Sequence, residues 1–421
     1  MRDKLGNFNN ETLKKHYARA SGIRQVLTIF LINGTIKISN GVEDTFMNAN
    51  IKVSVIIPIY NAFDYLRPAM DTVIDQTLRE IEIICIDDGS TDKSLSIIKE
   101  YQQKDDRIRI VTENNAGVST ARNKGISRVR GDYVIFLDAD DFFEPTLLER
   151  MYEIAVREDL DIAVCKYDVY NDKQSDFSPA IPAPHQEILN DGAVVSKCEY
   201  PDYILQCTTG YVWNKLFKTS FIREKELIFA PELYVFEDVH FVCSAMSLAS
   251  RIAAVEEVLV HHRVYNDQSR TKLFRKYYSQ VPVVYHKVKE FLTSHGVYIP
   301  LKNAFLNLSA SRCYKIYNLL WNDGKADFWD LLHGGFADSF GWYSHEAEDF
   351  EDKDVCDFAA NVGLYTHSQY ERRLKKGREL NIDKLTKKEL VRKIKNNKNG
   401  ERLSEKFKGF FGKIFGKKRK K

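Results

Sequence analysis

Apolar blocks alternate with amphipathic segments between residues 53 and 145. Four apolar runs have the pattern of buried strands, at 53–61, 81–86, 107–111 and 133–137. The segments between them place apolar residues at helical spacing. Strands that alternate with helices of about ten to fifteen residues predict a parallel sheet with right-handed crossovers.

Short polar clusters follow three strands of this predicted sheet, at 60–61, 87–90 and 138–141. Parallel strands end at the same edge of a sheet, so these clusters are expected to meet where open α/β sheets bind ligands. The last cluster packs three carboxylates into four positions, and their mutual repulsion favours a bound divalent cation such as Mg²⁺. A solvated acidic turn that caps the next helix is the alternative interpretation.

The pattern continues less regularly beyond this point. An amphipathic helix at 146–158 and a strand at 161–169 precede an extended loop marked by three prolines. An aromatic segment at 211–217, YVWNKLF, has the pattern of a strand, and a helix opens at the Phe-Glu-Asp sequence 236–238. A further strand at 251–260 ends in two histidines and an arginine.

Length and composition limit the class of protein. The chain has 421 residues, 44% of them hydrophobic, which suffices for a sizeable core and two domains with extensions. Its seven cysteines are scattered without a C-x-x-C pair, which predicts reduced structural thiols and a cytosolic protein. The best apolar run, at 26–32, is far too short to span a membrane.

The net charge of +3 hides a strong asymmetry. Residues 384–421 carry 16 basic and three acidic side chains, a net charge of +13, which leaves −10 for the rest of the chain. Within this tail, apolar residues recur at helical spacing at positions 403, 407, 410, 411, 414 and 415. A basic helix with a phenylalanine-rich face is typical of segments that bind anionic membranes. A solvated disordered tail and nucleic-acid contact are the alternatives, but phenylalanines on one face contribute nothing to phosphate contacts, so we expect no nucleic-acid partner.

Four motifs within about ninety residues resemble the donor half of glycosyltransferase family 2. They are PIYN at 58–61, DDGSTD at 87–92, ENNAGVSTARNKGI at 113–126 and FLDADD at 136–141, in the family's order. No G-x-G-x-x-G follows the first strand and no G-x-x-x-x-G-K-[ST] occurs, which argues against a dinucleotide-binding Rossmann site and a P-loop. The resemblance implies an α/β chain with the GT-A fold of nucleotide-diphospho-sugar transferases, which has a Rossmann-like, mostly parallel sheet flanked by helices. A helical C-terminal extension is expected to follow.

For the donor, the resemblance implies a nucleotide-diphosphate sugar bound across the strand ends. Pro58 and Tyr60 would lie beside the base, and Asp88 would accept a hydrogen bond from the ring N–H, which favours uracil. Asp87 would support the ribose or the turn. A turn followed by a helix N-cap explains the composition of this segment as well.

The D-x-D pair of the family matches Asp138 and Asp140. By resemblance, Asp140 binds a divalent cation, Mn²⁺ or Mg²⁺, and Asp138 contacts the ribose or a water on that metal. Asp141 would cap the next helix. Arg122, in the STARNKGI segment, would brace the nucleotide or orient Asp140, and a surface ion pair is the alternative.

On the acceptor side, the resemblance assigns Asp238 as the general base that takes the proton of the attacking hydroxyl. The dipole of the helix that begins there is expected to keep its carboxylate ionised. Glu237 beside it would contact the acceptor, and an N-terminal capping pair is the alternative. Trp213 lies in a segment similar to the W-x-K-L-[FY] stretch of members that build bacterial surface polysaccharides, although it also suits an aromatic core strand.

The histidines at 261–262 depart from the Tyr-x-Tyr-Arg pattern of many relatives. His262 is a candidate third metal ligand, and Arg263 a candidate contact for the diphosphate. Paired histidines near a strand end are more often structural. Residues 266–271, NDQSRT, are similar to a stretch that closes over the donor in the family.

These interpretations define four regions, at 1–50, 51–270, 271–383 and 384–421. They are an N-terminal extension, a glycosyltransferase domain with donor half 51–145 and acceptor half 146–270, a mainly helical region and the basic tail.

The predicted function is metal-dependent transfer of a sugar from a UDP-sugar to a glycan or lipid-linked acceptor, with inversion. The predicted location is the inner face of a bacterial cell membrane. A catalytically inactive membrane scaffold of the same fold is the alternative, and the retained Asp88, Asp140 and Asp238 argue against it. A nucleotidyltransferase would carry a phosphate loop with Gly and Lys after the first strand, which is missing from PIYNAFDY.

Overall fold

A computed structural model describes residues 51–189, 192–264 and 277–374, together with the backbone of two strands nearer the N terminus. By the density of contacts the chain divides into two compact units, Met1–Asn50 and Ile51–Lys421. The predicted lid at 266–271 and the basic tail at 384–421 lie outside the described residues.

The first unit contains a β-hairpin that the sequence pattern does not predict. Strand β1 (Val26–Ile32) pairs antiparallel with β2 (Thr35–Gly41), with Ile32 opposite Thr35. Residues 1–50 lack the clear periodicity that would have announced these strands.

The donor half of the second unit is a parallel arrangement of alternating strands and helices. Its elements are β3 (Val53–Ile59), α1 (Phe63–Ile74), β4 (Ile81–Asp87), α2 (Ser94–Gln102), β5 (Ile108–Thr112), α3 (Val118–Ile126) and β6 (Tyr133–Phe136). The strands lie in the order β5-β4-β3-β6, and each neighbouring pair is parallel. The parallel sheet predicted for this half is therefore confirmed.

Helices cover both faces of this half of the sheet, which explains why its strands are continuous apolar runs. All seven residues of β4 are buried. In β3, Val55 and Ile57 pack into one hydrophobic cluster, with residues of α1 and α2, whereas Ile56 belongs to a second cluster on the opposite face. The side chains alternate between two cores, so neither face of the strand is polar.

The acceptor half extends the same sheet with mixed strand directions. Its elements are β7 (Phe142–Phe143), α4 (Leu147–Arg157), β8 (Ile162–Asn171), β9 (Asp176–Pro179), β10 (Lys215–Lys218), α5 (Thr219–Glu224), α6 (Glu237–Leu248) and β11 (Ile252–Val264). Strand β10 lies antiparallel between β6 and β8, and β11 is parallel to β8. The predicted strand at 211–217 begins only at Lys215, because residues 211–214 form a turn.

The C-terminal region is helical, as predicted. The α-helices described there are α7 (Gln280–Ser294), α8 (Lys302–Leu319), α9 (Asn322–Leu331), α10 (Ala337–Phe340), α11 (Lys353–Leu364) and α12 (His367–Leu374). Their buried aromatic residues, among them Trp329, Phe340 and Trp342, belong to the same hydrophobic cluster as Phe241 of α6. These helices therefore continue the core of the acceptor half. No helix among the described residues is long and apolar enough to cross a membrane.

Candidate active site

The polar clusters predicted to share one edge of the sheet do meet there. Strands β3, β4 and β6 are parallel neighbours, and Ile59 lies opposite Asp87 at their carboxyl ends. Asn61 joins the first two strand ends from a left-handed backbone conformation, with φ of 50°. Its Oδ1 accepts from the Thr91 N–H at 2.8 Å, and its own N–H donates to Ser90 Oγ at 3.1 Å.

Asp88 is buried and holds the loop that leads into α3. Its two carboxylate oxygens accept the backbone N–H groups of Ala116 and Gly117, at 2.7 and 2.9 Å. Gly89 next to it has φ of +73°, and a Cβ there would lie 2.8 Å from the Asn115 nitrogen. An ionised carboxylate has about four acceptor positions, so these bonds are compatible with the predicted contact to a base.

The other predicted donor residues flank Asp88. Tyr60 is 47% exposed at the sheet edge, and Pro58 is half-buried at the end of β3. Asp87 is buried, and its carboxylate accepts the Ser90 N–H at 3.3 Å. It thus supports the turn, one of the two roles considered for it, and contact with the ribose stays a prediction.

Arg122 connects the donor and acceptor sides. Its guanidinium donates to Asp138 Oδ1 at 2.8 Å and to Glu237 Oε1 at 3.0 Å, and lies over the Phe229 ring. The residue is only 4% exposed, so the alternative interpretation, a surface ion pair, is wrong. The hydrogen bond that Arg122 makes to the D-x-D pair is to Asp138, whereas one role considered for it was to orient Asp140. A buried pair of this kind is costly to break, because a lone charge would remain.

Asp141 anchors the acidic turn instead of capping α4, which begins only at Leu147. Its buried carboxylate accepts the backbone N–H of Arg263 at 2.8 Å and bonds with Nδ1 of His262 at 3.0 Å. The capping role expected for Asp141 is therefore wrong. The turn is tied to the end of β11, which brings the two histidines into the site.

Arg263 supports the acidic turn from behind. Its Nε donates to the Asp140 carbonyl oxygen at 2.9 Å, and its guanidinium pairs with the Asp172 carboxylate. The group is 7% exposed and lies over the rings of Phe142, Tyr65 and Tyr170. This position fixes the backbone of the D-x-D motif, and the predicted contact with a diphosphate stays untested.

His262 joins the acidic turn to an aromatic stack. Its ring stacks on Trp213 at a centroid distance of 5.1 Å, and Trp213 stacks on Tyr211 at 4.7 Å. Burial alone would lower the pKa of His262, but the negative charges of Asp141 and the neighbouring aspartates outweigh it and raise the pKa to about 9. Trp213 is 2% exposed, so the surface of the stack belongs to Tyr211.

Asp138 and Asp140 have the chemistry of a hard-cation site. Among the described residues, no group of three or more His, Cys, Asp or Glu side chains is placed to hold a metal ion. Mg²⁺ in phosphate-transfer sites typically takes one or two protein carboxylates and completes its shell with water and phosphate oxygens. Two carboxylates therefore fit a cation that arrives with a diphosphate, and metal binding stays a prediction.

Asp238 lies in the first turn of α6, where the backbone is strained. Phe236 before it adopts a left-handed conformation with φ of 59°, which is rare for a bulky residue. Asp238 Oδ1 accepts the Val239 N–H at 2.8 Å. Burial raises the pKa of Asp238 to about 7, the charge of Glu237 adds to the rise, and Arg122 opposes it. The helix dipole was expected to keep this carboxylate fully ionised, but its pKa is raised to near neutral pH, where it is ionised only in part.

Two residues near this base were not among the predicted site residues. Tyr211 carries the exposed end of the aromatic stack, and Lys215 is fully buried beneath it. Both lie in the segment YVWNKLF, but its pattern of a core strand drew attention only to Trp213. The strained conformation of Phe236 left no signal in the sequence, since only glycine at that position would have suggested it.

Comparison with known proteins gives a consistent result. Residues 54–254 match the family model described as Glycosyl transferase family 2. The Bacillus subtilis protein named "Uncharacterized glycosyltransferase EpsJ" is 32% identical over 226 residues, which are 52% of this chain and 63% of that protein. The Escherichia coli glycosyltransferase YibD is 34% identical over 225 residues, which again are 52% of this chain and 63% of the relative. The chain thus spans slightly less than two thirds of these relatives.

Among solved structures, Staphylococcus aureus TarS 1-349 in complex with UDP is similar to this chain, with a TM-score of 0.59 and 19% sequence identity. The alignment covers 77% of this chain and 92% of TarS 1-349. At this identity the likeness concerns the fold, which is the predicted GT-A fold. The family match agrees with the order of the four motifs and with their meeting at one edge of the sheet. The part of the chain at residues 54–254 therefore matches glycosyltransferase family 2.

Proposed function

We propose that this domain transfers a sugar from a UDP-sugar to a hydroxyl of a glycan or lipid-linked acceptor, with inversion, in the synthesis of a bacterial surface polysaccharide. The observation that carries the proposal is the buried bridge made by Arg122. It bonds Asp138 of the D-x-D pair and Glu237 of the acceptor-side motif, next to Asp238. One guanidinium thus ties the D-x-D pair to the segment that carries the proposed base.

The proposed reaction is a single displacement. The acceptor hydroxyl oxygen attacks C1 of the donor sugar, while the bond from C1 to the diphosphate oxygen breaks and its electron pair leaves with UDP. The hydroxyl proton passes to the carboxylate of Asp238. A pKa of about 7 suits this task, because the group is ionised in part at neutral pH and still basic enough to take the proton. Attack opposite the leaving group inverts the configuration at C1.

Two features at the sheet edge support a nucleotide donor. Asp88 holds the loop at 116–117 in place, and Tyr60 offers an exposed ring at the sheet edge. The fold is similar to that of TarS, which has been crystallised with UDP. Asp138 and Asp140 would hold Mn²⁺ or Mg²⁺, which when bound would neutralise negative charge that develops on the leaving diphosphate.

The test is a panel of UDP-hexoses and UDP-N-acetylhexosamines, scored by UDP release with Mn²⁺ or Mg²⁺ and again with excess chelator. We expect release with at least one donor, its loss in chelator, and its loss in Asp140→Ala. Asp132→Ala is a matched control, because Asp132 is exposed at the opposite end of the same strand. Undiminished turnover in chelator contradicts the metal role. No release from any donor favours the inactive scaffold.

We also propose that the tail at 384–421 places the protein on the inner face of the cell membrane. The support is its charge of +13 together with apolar residues at helical spacing. Charge attracts such a segment to anionic lipid by about 1 kcal/mol per basic residue near the surface, and salt screens this attraction. Serine at positions 407, 410, 411 and 415 should leave only salt-sensitive binding to anionic vesicles, whereas turnover on a soluble acceptor should persist. If this variant sediments with anionic vesicles at high salt as fully as the wild type does, the phenylalanines do not have the proposed role.

A further inference from the structure

Lys215 is a fully buried lysine to which the proposed reaction gives no role. Its Nζ donates to the carbonyl oxygens of Thr209 and Tyr211, at 2.9 and 2.6 Å, and to Asn214 Oδ1 at 2.8 Å. These bonds use all three donors of the ammonium group, and every acceptor is uncharged. Burial lowers the pKa of Lys215 to about 7. A lysine buried without a carboxylate partner costs stability, so its presence in the core calls for a gain elsewhere.

The gain is a fixed loop beside the candidate base. Lys215 holds the loop 209–211 from the inside, and Gly210 presses against the first turn of α6 on the other side. A Cβ at Gly210 would lie 2.7 Å from Cγ2 of Val239 and 3.3 Å from its Cα. Val239 follows Asp238 directly, so the loop and the base are in contact through one residue. Any shift of the loop changes the distance between Tyr211 and Asp238.

The side chain that this loop presents is Tyr211. The residue is 37% exposed, and its ring stacks on Trp213 with an interplanar angle of 17°. Burial raises the pKa of Tyr211, and the charge of Asp238 raises it further, which places the phenol within the electrostatic reach of the base. Through Trp213 and His262 the ring is also joined to the acidic turn. An aromatic ring held on several sides and open on one is a rigid binding surface.

A cavity of about 480 Å³ lies next to residues that contact or precede Tyr211, although Tyr211 itself does not line it. Thr209 and Tyr167 line it, and the Tyr167 ring meets the Tyr211 ring edge-on at 5.7 Å. Pro179 and Pro182 of the extended loop form part of the opposite wall.

We propose that Tyr211 is the platform on which a sugar ring of the acceptor rests, and that Lys215 is the positioning residue that fixes this platform beside Asp238. One face of a pyranose ring is lined by C–H groups and packs on an aromatic ring, while its hydroxyls stay available for the base. The acceptor class is therefore a glycan that ends in a pyranose, and not an open-chain polyol phosphate. This inference rests on the proposed function for its chemistry.

The test measures acceptor and donor separately. With a UDP-hexose that the enzyme uses and p-nitrophenyl pyranosides as acceptors, Lys215→Met should raise the acceptor KM at least tenfold. The Kd for UDP should stay within twofold, because the donor half is untouched. Tyr211→Ala should have the same effect, whereas Tyr211→Phe should remain close to the wild type, since it keeps the ring. Unchanged acceptor KM in both Lys215→Met and Tyr211→Ala overturns the proposal.

A second pair of variants moves the loop without removing a buried charge. Gly210→Ala should raise the acceptor KM, because the new methyl group collides with Val239. Adding Val239→Ala removes that collision and should restore the KM in large part. Loss of folding in Lys215→Met therefore leaves the proposal testable. A Gly210→Ala enzyme with wild-type acceptor KM would contradict the fixed loop.

Binding without turnover distinguishes this inference from the proposed function. Saturation-transfer NMR with a p-nitrophenyl pyranoside and saturating UDP should show binding to the wild type, and its loss in Tyr211→Ala. Glycerol phosphate is the comparison ligand and should not bind. Binding without transfer of any sugar removes the proposed function and leaves the platform standing. Absence of pyranoside binding, or equal binding of glycerol phosphate, refutes the platform.

Discussion

Asp88 on the donor side and Asp238 on the acceptor side are both candidate site aspartates, but they differ in their hydrogen bonds and in their neighbouring charges. Asp88 accepts two backbone N–H groups, from Ala116 and Gly117. Asp238 accepts one, lies beside Glu237 and follows a strained residue, and its pKa rises to about 7. The first carboxylate is fixed in position by two backbone hydrogen bonds, and the pKa of the second lies near neutral pH.

This difference follows the tasks proposed for the two sides. A group that recognises a base needs a fixed geometry, and hydrogen bonds from the backbone supply it. A general base must bind and release a proton, and desolvation beside a like charge makes that possible. Arg122 limits the second effect, because its buried guanidinium pairs with Glu237 and lowers the pKa that Asp238 would otherwise have.

The largest expected effect is the loss of transfer in Asp238→Asn. The amide cannot take a proton, so kcat should fall by about 10³-fold. The UDP Kd should stay within twofold, because no donor contact is removed. Steady-state kinetics with calorimetric titration of UDP separates the two quantities. A matching loss of UDP affinity would place Asp238 on the donor side and cancel the contrast with Asp88.

The reverse pattern is expected for Asp88→Ala. The base N–H and the backbone N–H groups of Ala116 and Gly117 would lose their acceptor, which at about 2 kcal/mol corresponds to a UDP affinity roughly 30-fold weaker. With saturating donor, kcat should remain within a few-fold of the wild type. Asp88→Asn keeps one acceptor oxygen and should lie between the two. Unchanged titration of UDP into Asp88→Ala would show that this carboxylate only holds the loop.

The pH dependence of kcat/KM sharpens the comparison through Asp238 alone. The reaction requires the ionised carboxylate, and the pKa of the free enzyme is raised to about 7. Activity should therefore fall about tenfold per pH unit below that value and level off above it. The affinity for UDP, measured over pH 5.5–8, serves as the control and should vary much less. A rate that is flat from pH 5 to 8 would exclude Asp238 as the titrating base.

The sequence predicts the donor half better than the acceptor half, for a physical reason. Strand β4 is buried along its whole length, and the aspartates that follow it stand at the end of an unmistakable apolar run. Parallel pairing then brings such ends together without further information. The contact between Arg122 and Glu237 joins residues 115 positions apart, and no local pattern announces it.

The acceptor half hides its chemistry in ordinary-looking segments. The strand pattern of YVWNKLF is that of a core strand, and half of it is a turn held by Lys215. A lysine in an aromatic run is usually exposed, so its burial could not be foreseen. Asp141 looked like a helix cap because it precedes α4, but the end of β11 claims its carboxylate. Tertiary contacts decide all three cases.

The smallest expected effect is a change in the free energy of unfolding, and its sign at pH 8 should differ between Asp238→Asn and Asp88→Asn. The folded pKa of Asp238 is raised above the ordinary value of 3.8, so the folded state binds more protons between about pH 4 and 7 and loses stability as the pH rises through that window. Asp238→Asn removes this loss. Because the residue is only half-buried, we expect a gain in the free energy of unfolding of about 1–2 kcal/mol at pH 8 and little gain at pH 4.

Asp88→Asn should instead lower the free energy of unfolding at pH 8, since one of two buried N–H groups loses its acceptor. Urea unfolding of both variants and the wild type at pH 4 and 8 measures these differences. If Asp238→Asn is less stable than the wild type at pH 8, the Asp238 carboxylate must have hydrogen-bond donors as good as those of Asp88. The contrast between the two sides would then lie in their ligands alone.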